Sequence, residues 1–179
     1  MKRHVAATLM GVLGFFIIDS HIDWVRHDNG MLLEVSGQPF DPHGWMAEQW
    51  LQLRKDCRLV QNEPTTSATA QAVLQVIQQH SLPDSLESQL LQLQLQADWG
   101  LAEVEFKTLN PSIVVLRQVD GHWKIQETAV WSGSTSPWLA ADFVRRYLHQ
   151  QAPQLPQALL DCMPIEASRY AAVTPRPKA

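Results

Sequence analysis

Hydrophobic and polar residues alternate along residues 101–131, LAEVEFKTLNPSIVVLRQVDGHWKIQETAVW, in the way that is typical of β-strands. Asp120 and Gly121 lie between two strand-like runs, and glycine accepts a positive φ without steric cost. This pair therefore predicts a two-residue hairpin turn that sets Val119 opposite His122. The whole segment predicts three antiparallel strands, and the rest of the chain is interpreted around them.

The register of these strands decides which side chains share a face. The second turn sets Arg117 opposite Lys124, so the face that carries both cations is predicted to be wet. For the first turn, at residues 110–112, we prefer a three-residue loop that sets Phe106 opposite Leu116, because a shift by one residue would turn a whole strand over. One face then collects the apolar side chains of Val104, Phe106, Val114, Leu116, Trp123 and Ile125. Such a one-faced sheet needs an apolar layer across it.

Helical spacing of apolar residues predicts helices at about residues 45–60, 67–80 and 137–151, with a shorter one at 155–162. The first of these is predicted to bury one apolar stripe, formed by Met46, Trp50, Leu53, Cys57 and Val60. Leucine and glutamine alternate from Leu91 towards Trp99, which predicts a fourth strand. Residues 22–38, with Asp-Asn-Gly at 28–30, predict a further hairpin, and residues 37–44 a loop.

The N-terminus begins with Lys2 and Arg3, which are followed by an uncharged apolar run over residues 5–18. This is the order of a secretory signal, but no clear small-residue cleavage site follows, and the run is short for a membrane span of ~20 residues. An uncleaved signal-anchor is the preferred interpretation, and a cleaved signal or a buried N-terminal helix are the alternatives. The predicted parts are a signal-anchor or signal peptide (1–21), an α+β periplasmic domain (22–165) and a flexible tail (166–179).

Composition supports a folded domain. The chain has 179 residues, of which 45% are hydrophobic and 18% charged, and its net charge is −4. Because it has no basic stripe, a nucleic-acid partner is not expected. The two cysteines, Cys57 and Cys162, lack the spacing of a zinc site. In an oxidising compartment they would form a disulfide, and in a reducing one they would be small buried residues.

The predicted fold class is α+β: an N-terminal apolar helix, then helices packed on one face of a curved antiparallel sheet of about four strands. The order of these elements resembles that of the cone-shaped cystatin and NTF2-like folds. The similarity lies in element order alone, and fold does not determine function.

Chemical motifs are sparse. Residues 19–23, Asp-Ser-His-Ile-Asp, are similar to the metal-binding strand of amidohydrolases, but those enzymes need a large barrel, so a polar membrane border is the preferred interpretation. The histidines have no ligand spacing, and no catalytic residue, metal site or cofactor is predicted. The candidates for binding a ligand or a partner are tryptophans near the predicted core: Trp99, Trp123, Trp131 and Trp138.

Three functions are weighed. The first is a non-enzymatic accessory protein, anchored once in the inner membrane with its domain in the periplasm, which binds a protein partner in a secretion, pilus, conjugation or sensor complex. The second is a receptor for an apolar small ligand, held in an aromatic pocket between the sheet and helix 137–151. The third is a small NTF2-like hydrolase or isomerase that uses an acid such as Glu103, Glu105 or Glu127.

Overall fold

The structure, a computed structural model, describes residues 22–27, 30–80, 83–107 and 109–170. The strands are β1 (Ile22–His27), β2 (Gly30–Val35), β3 (Gln38–Phe40), β4 (Gln61–Glu63), β5 (Gln89–Gln96), β6 (Trp99–Glu105), β7 (Ser112–Val119) and β8 (His122–Ser132). The helices are α1 (Pro42–Arg54), α2 (Ala68–His80), α3 (Ala140–Gln151) and α4 (Gln157–Cys162), with short 3-10 turns at Asp84–Glu87 and Ala167–Tyr170. The α+β class is confirmed. The predicted N-terminal helix lies outside the described residues.

The strands form two antiparallel sheets, one of five strands in the order β4-β5-β6-β7-β8 and one of three in the order β1-β2-β3. The hairpin at Asp120-Gly121 has the predicted register, with Arg117 opposite Lys124. Asp120 and Gly121 both have positive φ, as this two-residue turn requires. The predicted fourth strand is β5, and the hairpin at residues 22–38 is β1 and β2, although residues 28 and 29 are not described.

The large sheet is covered on both faces, which corrects the prediction of helices on one face only. On one face, α2 packs on the predicted apolar set, with Val73 and Ile77 against Leu93, Val114 and Leu116. On the other face, α3, α4 and the following residues pack on the alternate positions of the same strands: Trp99, Leu101, Ile113, Val115 and Ala129. The reason is visible in β7, because Ile113 to Leu116 is a continuous apolar run, which is typical of a strand buried on both sides.

The first turn of the meander is longer than predicted. Val104 is opposite Ser112, whereas the three-residue loop would have set Phe106 opposite Leu116. The true register differs from the predicted one by an even number of residues, so each side chain keeps its predicted face. Gly100 lies inside β6, where an added Cβ would be 3.3 Å from the Trp123 ring.

The segment from β3 to α1 differs from the sequence interpretation. Residues 37–44 were predicted as a loop, but Gln38–Phe40 is a strand and α1 already begins at Pro42. Asp41 is the N-cap of α1, and its side chain accepts a hydrogen bond of 2.8 Å from the backbone N–H of Gly44. α1 ends at Arg54, so Cys57 is not on the helix but in the exposed loop that follows.

The disulfide between Cys57 and Cys162 is present, with a Cα–Cα distance of 5.7 Å. It joins the loop after α1 to the end of α4. The folded part of the chain continues past residue 165, where the flexible tail was predicted to start, because Tyr170 is buried. Residues 171–179 lie outside the described residues.

Candidate docking surface

The first helix, α1, turns its apolar side chains outward. Trp45, Met46, Trp50 and Leu53 are all exposed, Trp50 by 61% and Leu53 by 80%. Their spacing of one, four and three residues puts them on one helix face together with Gln49. We call these five residues the α1 face. The predicted stripe of Met46, Trp50 and Leu53 is therefore real, but the prediction that it is buried is wrong.

The inward side of α1 is held by polar contacts. Glu48 accepts a hydrogen bond from Arg145 of α3. Arg145 is itself buried, and it also donates to the carbonyl oxygens of Leu160 at 2.8 Å and Met163 at 3.0 Å. One guanidinium therefore links α1, α3 and the end of α4, using the several fixed N–H donors that distinguish arginine.

Two further contacts fix α1 on the body. The buried carboxylate of Asp41 accepts a hydrogen bond of 3.2 Å from the backbone N–H of Leu139, just before α3. The disulfide of Cys57 fixes the chain directly after α1. These contacts lie at the start of α1, in its middle and just after its end, and they hold the helix with its apolar side outward. Burying or covering such side chains is favourable by ~25 cal/mol per Å² of apolar surface, so an exposed stripe of this size is a candidate interaction site.

The three-stranded sheet presents a second exposed apolar face. Paired residues project to the same side, and Trp24 is opposite Leu33, which in turn is opposite Phe40. We call the apolar side chains on this side the sheet face: Ile22, Trp24, Met31, Leu33, Val35 and Phe40. All except the half-buried Leu33 are exposed, Trp24 by 56%. The opposite side lies towards the body, where Leu32 is fully buried.

A cleft of about 430 Å³ connects the two faces. Trp24 and Met31 of the sheet face line it together with Met46 of the α1 face, Trp138 and Arg146. A shallower cleft of about 520 Å³ continues along α1 beside Trp45, Trp50 and Leu53. The two faces therefore border one another, and together they form the largest concentration of exposed apolar side chains among the described residues.

The four tryptophans predicted as binding residues do not converge on one site. Trp99 is buried in the core with the Arg117 guanidinium 5.0 Å from its ring centre. Trp123 packs on the opposite face of the large sheet, over Gly100. Trp131 makes edge contacts with the aromatic rings of α3. Only Trp138 lines the cleft described above.

The three acids weighed for catalysis have different surroundings. Glu103 is fully buried, and Glu105 and Glu127 are exposed. The Glu103 carboxylate accepts hydrogen bonds from the Tyr170 hydroxyl at 2.7 Å, from Gln92 at 2.6 Å and from Arg169 at 3.0 Å. Burial, followed by the hydrogen bond to Glu103, raises the pKa of the Tyr170 phenol well above its ordinary value. These contacts fasten the last described residues to the large sheet.

No helix in the described part of the chain is long and apolar enough to cross a membrane. The predicted anchor at residues 5–18, and residues 19–21 of the Asp-Ser-His-Ile-Asp motif, lie outside that part. Within the same ranges, no three His, Cys, Asp or Glu side chains converge as metal ligands.

The α1 face was missed as a site because its apolar stripe was taken for part of the core. A signal was present in α1: Gly44, Ala47 and Leu51 form a second, smaller apolar side on which a helix can lie closely. Comparison of the chain with protein-family models, curated proteins and solved structures finds no significant match.

Proposed function

We propose that this protein is a non-enzymatic accessory module of a larger membrane complex, anchored by residues 5–18 in the inner membrane with its folded domain in the periplasm. The observation that carries the proposal is the α1 face, an apolar helix surface that points outward. The hydrogen bond between Glu48 and Arg145 and the Cys57–Cys162 disulfide hold α1 in this orientation. Helices that present apolar residues at such spacing commonly pack against a partner's groove or helix. The partner is proposed to be another protein of the complex, of the secretion, pilus, conjugation or sensor type.

Two features support the proposed location. Lys2 and Arg3 precede the apolar run, which favours a cytoplasmic N-terminus by the positive-inside rule. The disulfide supports an oxidising compartment for the folded domain, since disulfides persist in the bacterial periplasm and are rare in the cytosol.

A photo-cross-linking amino acid at position 50 tests the docking role in intact cells. We expect a discrete cross-linked adduct from position 50, on the α1 face. We expect none from position 72, an exposed alanine on α2, which is the matched control. Introducing Leu53→Asp should remove the adduct, because it places a charge in the apolar interface. Equal adducts from both positions, or an adduct that survives Leu53→Asp, would contradict the proposal.

A second candidate is binding of a small apolar ligand in the cleft of about 430 Å³, whose size is in the range of ligand pockets. Trp24, Met31, Met46 and Trp138 would supply the apolar contacts. An apolar fluorescent probe should then bind the full chain and lose its binding in Trp138→Ala. Binding that is unchanged in that variant would remove this candidate.

A further inference from the structure

The sheet face differs from the α1 face in its position along the chain. β1 begins at Ile22, and only residues 19–21 separate it from the apolar run that ends at Ile18. Four residue steps of extended chain span at most about 14 Å. If residues 5–18 lie in the bilayer, the start of the sheet face is therefore held at the membrane surface.

The apolar run of residues 5–18 is also short compared with the thickness of a bilayer. Fourteen residues in a helix are about 21 Å long, whereas the hydrocarbon core of a bilayer is about 30 Å thick. A segment shorter than the core draws the residues that flank it towards the membrane. The flanking residues here are those of β1, where Ile22 and Trp24 are exposed on the sheet face.

In the three-stranded sheet, the arginine and the acidic side chains lie on opposite sides. Arg26, paired with Met31, lies on the same side as the apolar side chains. The acids Asp23 and Glu34 are paired with each other on the opposite side. An apolar surface with a tryptophan, a cation and no carboxylate complements the interfacial region of a bilayer that contains anionic phospholipids.

We propose that the sheet face lies against the bilayer surface and is a second, interfacial membrane contact beside the anchor. The inference rests on the proposed anchoring by residues 5–18. It assigns the two exposed faces to different occupants: lipid covers the sheet face, and the α1 face stays available to a protein partner. Because the sheet is joined to the body through Asp41 and the start of α1, this contact also orients the α1 face relative to the membrane.

The test uses the full chain reconstituted into liposomes of phosphatidylethanolamine and phosphatidylglycerol with brominated acyl chains, which quench tryptophans in contact with lipid. Wild type is compared with Trp24→Phe and with the matched control Trp50→Phe, which removes an equally exposed tryptophan from the α1 face. We expect Trp24→Phe to lose most of the lipid-dependent quenching, and Trp50→Phe to retain it. Acrylamide, added from the water phase, measures exposure to solvent in parallel.

Each of the following outcomes would overturn the inference, and each would show where the sheet face lies instead or that the anchor is absent. If Trp24 is quenched by acrylamide and not by brominated lipid, the sheet face is in water. If neither agent quenches it, protein covers the face, either residues 5–18 or a second copy of the chain. If Trp50→Phe is the variant that loses lipid quenching, the bilayer occupies the α1 face instead. If the full chain does not float with the liposomes, the anchoring itself is refuted, and this inference with it.

Discussion

Removing the disulfide tests how much the bond between the loop after α1 and the end of α4 stabilises the folded protein. Cys57 and Cys162 are 105 residues apart in the chain, so their bond closes a long loop in the unfolded state. The loop-entropy relation gives about 4.8 kcal/mol of stabilisation for a loop of this length. The double variant Cys57→Ser/Cys162→Ser should therefore unfold more easily, by about 3–5 kcal/mol, since measured losses usually fall at or below this value.

The assay is equilibrium unfolding in urea, followed by circular dichroism, on the full chain in detergent. With an m-value of about 2 kcal/mol per M, the midpoint of the double variant should fall by about 2 M relative to oxidised wild type. Wild type treated with a reductant should unfold at the midpoint of the variant, and the variant should not respond to the reductant. A loss below about 1 kcal/mol would contradict this prediction, because it would mean that the bond does not restrict the unfolded chain.

Three further predictions concern polar contacts. Tyr170→Phe should lower the free energy of unfolding by about 1–3 kcal/mol, because it leaves a buried Glu103 oxygen without its donor. Since the pKa of Tyr170 is raised in the folded state, wild-type stability should also fall as pH rises above about 10, and urea titrations of Tyr170→Phe should lack this alkaline loss. Arg145→Met should lower the free energy of unfolding by about 3 kcal/mol, whereas the exposed Arg146→Met should lower it by less than about 0.5 kcal/mol. Equal losses of stability for the two variants in thermal melts would contradict the role of Arg145 in joining α1, α3 and α4. The hydrogen bond from Arg117 holds the pKa of Asp98 below its ordinary value, so the stability difference between wild type and Asp98→Asn should be present at pH 7 and vanish as the pH falls below about 4.

Strand alternation and turn chemistry were sufficient to predict much of the large sheet. The Asp120-Gly121 turn has one low-energy solution, so its register followed from the sequence. The turn before β7 has no such constraint, and its length was therefore mispredicted while the face of each side chain was correct. The prediction of a wet face on β7 and β8 was wrong because it was based on Arg117 and Lys124 alone. These two cations lie only at the turn end of the strands, and helices cover the rest of that face.

The candidate site was harder to predict, because amphipathicity alone does not say which side of a helix faces the core. α1 has an apolar stripe, but its position is set by Asp41, Glu48 and Cys57, each of which has its partner about a hundred residues away. The spacing of apolar residues within one helix contains no information about such distant contacts. Glu103 illustrates the same limit, since its partner Tyr170 meets it only when α4 and the residues after it cover the sheet.

The proposed function depends most on where the folded domain resides. Protease treatment of spheroplasts, combined with thiol labelling of the isolated membrane fraction, measures this directly. We predict that the full chain is in the membrane fraction, that external protease cleaves the domain, and that Cys57 and Cys162 are inaccessible to the label until a reductant is added. A chain in the cytoplasmic fraction, protected from protease and with both thiols free to react, would contradict the account.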